Sequence, residues 1–155
     1  MALPELVLFD GDWLAYVERL YAVYLNTVVN GNLRFEGLRI SCQYRPASQG
    51  KHFGFWHVIS DGEIEDDRLP NFRRCERMGW IAYLIANAGT DPEISWWKNK
   101  RKSNTHVVIW YEDENFVVIL AERNGYYLLK SAYCAESHRR AMFIRERAQF
   151  RSQNG

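Results

Sequence analysis

The stretch Thr105 to Tyr133, THVVIWYEDENFVVILAERNGYYLLKSAY, decides the fold class of this chain. Val107 to Tyr111 form a β-branched and aromatic run closed by Glu112-Asp113-Glu114-Asn115, and a second such run extends from Phe116 to Ala121. Asn124-Gly125 then turns the chain again. That dipeptide between two apolar runs is a strong hairpin signal, because a type I′ turn needs φ > 0 at both central residues. The third strand is Tyr126 to Tyr133, so the stretch reads as three consecutive antiparallel strands.

A two-residue turn at Asn124-Gly125 places Arg123 opposite Tyr126, Leu120 opposite Leu129, Val118 opposite Ser131 and Phe116 opposite Tyr133. With the acidic turn centred on Asp113-Glu114, Thr105, Val107 and Ile109 share a face with Ser131 and Tyr133, while His106 and Lys130 point the other way. A one-residue slip would exchange Thr105 for His106.

Outward from the meander, the 155 residues are read as a single domain, 1–155, large enough to bury a core without staples. Its three cysteines are widely spaced with no CxxC, which points to neither a disulfide framework nor zinc and fits a reducing cytoplasm. No apolar run approaches the length of a membrane span, and MALPELVLFDGDW lacks the basic start and long apolar stretch of a signal peptide. The net charge of +1 announces no polyanion partner, but its distribution is uneven. Basic residues cluster at Arg73, Arg74 and Arg77, at Lys98 to Lys102, and at Arg139 to Arg151, away from the acidic Glu63 to Asp67 and Glu112 to Glu114.

Before the meander, Asp10-Gly11-Asp12 supplies N-cap chemistry to an amphipathic helix in which Trp13, Val17, Leu20, Tyr24 and Val28 recur at helical spacing, with Leu14, Tyr21 and Leu25 beside them. Asn30-Gly31-Asn32 ends it. Phe35, Leu38, Ile40 and Cys42 mark one or two short strands, and Arg45 to Gly50 a loop. The alternation in FGFWHVIS predicts a strand with Phe53, Phe55, His57 and Ile59 on one face. Leu69-Pro70 introduces a helix from Asn71 to about Asn87, weakened by Gly79. Thr90-Asp91-Pro92 separates it from ISWWKNKRKSN, which leads into the meander. A charged helix from Glu136 to about Phe150, anchored by Met142, Ile144 and Phe150, closes the chain, with Arg151 to Gly155 frayed.

Four places have side chains suited to chemistry. His57 can give and take protons near neutrality, although a histidine on an aromatic strand face also fits a hydrogen-bonded core residue. The other three histidines are scattered and lack the carboxylate spacing of a metal site. Arg73, Arg74 and Arg77 flank Glu76, and such guanidinium forks suit phosphate oxygens, although taken alone the run reads rather as a solvated helix face with Arg73 and Glu76 paired at i,i+3. Trp96 and Trp97 precede Lys98, Lys100, Arg101 and Lys102, a pattern for stacking bases and neutralising phosphates, or a packed Trp pair beside a basic loop. Lys130-Ser131-Ala132-Tyr133 closes the last strand with polar groups that can orient a phosphate or serve as ordinary edge residues.

Taken together, the N-terminal helix, FWHVIS, FRRCER, WWKNKRKSNTHVVIW, the tight meander and LLKSAY resemble the phage-associated branch of the BECR nuclease group over about Trp13 to Tyr133. That group unites barnase, EndoU-type RNases, tRNA-cleaving colicins and RelE-like toxins on a compact fold of helices followed by a four-stranded antiparallel sheet. The resemblance implies an α+β domain with an antiparallel sheet of about four or more strands on an N-terminal helix. It further implies a toxin-type ribonuclease that needs neither metal nor other cofactor, in which a ribose 2′-hydroxyl attacks the neighbouring phosphate and leaves a 2′,3′-cyclic phosphate.

In that reading His57 is general acid or base, Arg74 with Arg73 stabilises the phosphorane, and Ser131 and Tyr133 position the phosphate. Glu76 is a second acid–base group or a tether for the arginines. Lys98 or Lys100 clamps the substrate, with Trp97, Arg101, Lys102 and Thr105 completing the binding surface. RNA, single-stranded or tRNA, is the implied partner, together with a neutralising antitoxin protein and no membrane. The alternatives are a non-catalytic nucleic-acid-binding module and a protein-interaction domain.

Overall fold

The Asp12 side chain accepts a hydrogen bond from the amide of Ala15 at 3.2 Å and starts helix α1, Trp13–Tyr24, in the computed structural model, which describes residues 3–62 and 68–154 and gives Arg101 by its backbone alone. α1 passes into a π-helical turn, Leu25–Val29, and ends at Asn30, with Asn32 at φ 53°. Its buried stripe is Tyr16, Val17, Leu20, Tyr24 and Val28. Leu14, expected beside that stripe, is 75% exposed, and Tyr16 fills the core instead, with its hydroxyl donating to the Val7 carbonyl at 2.6 Å.

Strands β1, Arg34–Phe35, and β2, Leu38–Ser41, follow as read. The segment read as a strand next is helix α2, Phe53–Ile59. Its buried residues are Gly54, Phe55, Val58 and Ile59, a helical stripe rather than an alternation, so His57 leaves the face it was assigned. Packing overrides the β propensity of this run: a Cβ on Gly54 would stand 2.9 Å from the Tyr24 hydroxyl and 3.1 Å from the Gln43 carbonyl oxygen. The glycine lets the helix lie close to α1 and to the chain leaving β2 without displacing the Tyr24 hydroxyl or the Gln43 carbonyl. Ser60–Asp61, β3, and Leu69–Pro70, β4, form a short antiparallel pair. The acidic residues Glu63 to Asp67 lie outside the described residues.

The helix expected from Asn71 to Asn87 is two helices, α3, Phe72–Glu76, and α4, Met78–Asn87, parted at Arg77 with φ −99° and ψ 21°. Asn71 caps α3 through the amide of Arg74 at 3.1 Å. The chain then forms β5, Ile94–Arg101, β6, Asn104–Tyr111, β7, Phe116–Arg123, β8, Tyr126–Cys134, and helix α5, Ser137–Asn154. β5 is an unforeseen strand, and α5 runs on through residues expected to fray. The sheet order is β1-β2-β8-β7-β6-β5, antiparallel except for the parallel pair β2–β8. The class is therefore α+β with an N-terminal helix, as expected, on a six-stranded sheet that is mixed rather than purely antiparallel.

The meander keeps the expected register through the first turn, where Tyr111 faces Phe116, and at the start of the second, where Arg123 faces Tyr126 and Leu120 faces Leu129. It then shifts by one. Ile119 faces Ser131, Val118 faces Ala132 and Phe116 faces Cys134, because the chain bulges at Lys130. Ser131 and Tyr133 thereby share a face with His106, Val108 and Trp110, not with Thr105, Val107 and Ile109. Val107 and Ile109 of the second set belong to the main core with α1 and α4, through Leu20, Tyr24, Ile81 and Leu84. The first lies on the side of a smaller core under α5, where Trp97, Val108, Trp110 and Val117 enclose Phe143.

Candidate active site

The bulge in β8 turns Lys130, Ser131 and Tyr133 into a cleft of about 240 Å³ whose other walls come from four elements, Ile119 of β7 forming part of its floor. β6 supplies His106, β5 supplies Asn99, and α2 supplies His57. His57 thus meets Ser131 and Tyr133, the juxtaposition that the sequence left open. His106 joins them against expectation. The unbulged register puts it on the far face, and its sequence signals are its place at a strand start and the one-residue ambiguity of that register.

Ser131 and Tyr133 also line a larger cleft of about 690 Å³, whose basic wall is Arg68, Arg73, Arg74 and Arg139. Asp61 and Glu136 stand in the same cleft as the acidic counterweight. The Tyr133 ring lies 5.7 Å from the Arg74 guanidinium and 5.8 Å from that of Arg139, close enough for cation–π attraction from both. Arg68, which no motif singled out, and Arg74 close the C-terminus of α2. Arg74 donates to the carbonyl oxygen of Ser60 at 2.6 Å and of His57 at 3.4 Å. Arg68 donates to His57 at 2.9 Å, to Gly62 at 2.8 Å, to the Ser60 hydroxyl at 3.0 Å and to the Ser60 carbonyl.

Cations at the carbonyl end of a helix satisfy orphan acceptors and complement its dipole, so both arginines hold the backbone of His57 in place. Burial lowers the Arg74 pKa from its ordinary value, with Arg68 adding to the effect and Asp61 opposing it. Burial likewise pushes the Cys134 thiol up despite the neighbouring arginines.

The remaining expected residues separate into those near these clefts and those elsewhere. Arg73 is exposed on the arginine cleft. Glu76 lines neither cleft and pairs with Arg77 at 3.5 Å, the contact that a tether for the arginines would make. Trp97 is fully buried, its indole N–H donating to Glu146 at 2.9 Å, so it packs the core and offers no stacking surface. Thr105 faces Lys100 across the hairpin, on the opposite sheet face to Ser131 and Tyr133.

Lys98 pairs with Glu122 at 3.2 Å, and with Lys100 it lines a third cleft of about 290 Å³ that shares Asn99 with the histidine cleft. Lys102 sits exposed in the β5–β6 turn at φ 59°, and the Arg101 side chain lies outside the described residues. The arginines of α5 divide as well: Arg139 reaches the site, whereas Arg140 and Arg147 grip Glu112 at 2.6 and 2.9 Å and clamp the helix to the sheet.

The clefts adjoin through shared walls, Ser131 and Tyr133 between the arginine and histidine clefts and Asn99 between the histidine cleft and that of Lys98 and Lys100. Such an arrangement can bind phosphates at either end and move protons in the middle. Among the described residues no group of three His, Cys, Asp or Glu side chains is placed to hold a metal ion, and no helix is long and apolar enough to cross a membrane. Comparison with protein-family models, with curated proteins and with solved structures gives no match to this chain.

Proposed function

We propose that the chain is a small endoribonuclease that cleaves RNA by transesterification without a metal. The observation that supports this reading is the convergence of His57, His106, Lys130, Ser131 and Tyr133 on one cleft that shares Ser131 and Tyr133 with an arginine-lined one. A base must take the proton of the 2′-hydroxyl as its oxygen attacks the adjacent phosphorus. An acid must protonate the departing 5′-oxygen. Two histidines supply that pair, one neutral and one protonated at the start of each turnover.

The phosphorane that forms between the two steps carries extra negative charge, which in this reading Lys130, Arg73 and Arg139, lining the two clefts, stabilise. Ser131 and Tyr133, common to both clefts, orient the phosphate at their junction. The bond from phosphorus to the 5′-oxygen breaks, leaving a 2′,3′-cyclic phosphate and a 5′-hydroxyl. Arg74 acts chiefly by fixing the end of α2 that carries His57. A BECR-like identity and a toxin role belong to this reading, and a neutralising partner protein would supply the restraint that such an enzyme requires.

Purified protein incubated with total tRNA and with a long single-stranded RNA in EDTA, followed by chemical typing of the ends, tests the reading. Cyclic phosphates are expected from the wild type, with rates reduced by roughly 10²- to 10⁴-fold in His57→Gln and in His106→Gln at unchanged circular dichroism. Intact RNA at high protein concentration would overturn it.

A further inference from the structure

Behind His57, between α2 and the loop that precedes it, lies a concavity of about 670 Å³ that the proposed chemistry leaves unused. Three half-buried rings, Trp13, Phe53 and Trp56, line it together with Gln49 and Arg68. Trp56 is fixed by its indole N–H, which donates to the Ser48 carbonyl at 2.9 Å, and the loop is itself closed by paired backbone hydrogen bonds of 2.9 Å between Ser48 and Lys51. The walls are therefore preformed.

Two walls are shared with the site. Arg68 lines both this concavity and the arginine cleft. Phe53 stacks on His57, with centroids 5.7 Å apart and planes 23° from parallel.

We propose that this concavity is a nucleobase subsite, which takes the heterocycle of a nucleotide whose phosphate sits in the arginine cleft. A planar, weakly hydrated ring suits a pocket of aromatic faces, and the guanidinium of Arg68 stands between that ring and its phosphate. An aliphatic ligand would gain little from three rings and nothing from the adjoining arginines. As a statement about cleavage, the inference rests on the ribonuclease reading and makes the base beside the scissile phosphate the one recognised. As a statement about binding it stands without that reading.

Calorimetric titration with nucleoside 3′-monophosphates, which cannot be cleaved, against ribose phosphate and inorganic phosphate separates the two. The base-bearing ligands are expected to bind at least about tenfold more tightly than ribose phosphate, as stacking on aromatic side chains predicts. Trp13→Leu and Phe53→Leu should each reduce that advantage to less than about threefold. Arg73→Ala should weaken all three ligands by a similar factor, and melting curves establish that each variant is folded. Equal affinity for nucleotide and ribose phosphate in the wild type, or an advantage undiminished in both ring variants, would overturn the subsite. Base-dependent binding without RNA cleavage would remove the ribonuclease and keep the subsite; cleavage without base-dependent binding would do the reverse.

Discussion

Ile119 stands opposite Ser131 while its neighbour Leu120 stands opposite Leu129, which makes Lys130 the extra residue of a β-bulge. Every later residue of β8 changes face at that point. Without the bulge, Ser131 and Tyr133 would point at the main core beside Val118 and Phe116, and the histidine cleft would lose two of its walls.

Deleting Lys130 should leave Ser131 opposite Ile119 and the site on its present face, since the residue removed is the extra one, and should cost no more than about 2 kcal/mol. Lys130→Ala, at an exposed position, should stay within about 0.5 kcal/mol of the wild type. Urea denaturation of the two variants measures the difference. A loss of more than about 3 kcal/mol on deletion would mean that Lys130 is not the extra residue of the ladder.

Arg74 and Arg73 are neighbours with opposite duties. Arg74 satisfies carbonyls of His57 and Ser60 from a half-buried position, whereas Arg73 is exposed on the cleft. Arg74→Met should destabilise the fold by about 1–3 kcal/mol, because buried acceptors lose a charged partner. Arg73→Ala should leave the urea midpoint nearly unchanged and lower phosphate affinity. A stability loss at Arg73 matching that at Arg74 would contradict this division.

The meander and α1 were legible because strand alternation, the Asn-Gly turn and helical periodicity each act locally. Three features of the site were not. The bulge at Lys130 has no turn residue to announce it, and its effect is to exchange Thr105 for His106 as the neighbour of Ser131. α2 carries a β-rich sequence and is helical because Gly54 lets it pack against Tyr24 and Gln43, a contact between distant parts of the chain. Arg68 stands outside every motif and acquires its place only when α2 ends beside it. β5 was hidden for the opposite reason, since its second half, Lys98 to Arg101, is polar and reads as loop until Val107 and His106 are seen to pair with it.

Trp97 and Lys100 lie in one basic, aromatic run and should respond differently. Trp97→Ala empties the space between Trp110 and Phe143, whose rings stand 6.0 and 5.6 Å from it, and should cost about 3–5 kcal/mol. Lys100→Ala should leave stability alone and, if Lys100 neutralises one phosphate of a single strand, reduce the slope of log affinity against log salt by about 0.7. Fluorescence anisotropy with a 2′-deoxy oligonucleotide, which lacks the attacking hydroxyl, measures this apart from cleavage. An unchanged slope would take Lys100 out of the RNA path.

The core also sets an alkaline limit. Burial, with Glu76 adding to it, pushes the Cys75 thiol from 9.0 up to about 12, and burial raises the Tyr16 and Tyr24 hydroxyls as well. Each group holds its proton more tightly folded than unfolded, so its contribution to stability is complete below the unfolded pKa and is lost as pH rises through the folded one. For Cys75 that window runs from 9.0 to about 12. The urea midpoint should hold up to about pH 9 and then fall steadily. Cys75→Ala should start lower, because the side chain is fully buried, and fall less steeply across the same window. A decline equally steep in the variant would assign the alkaline loss to the two tyrosines.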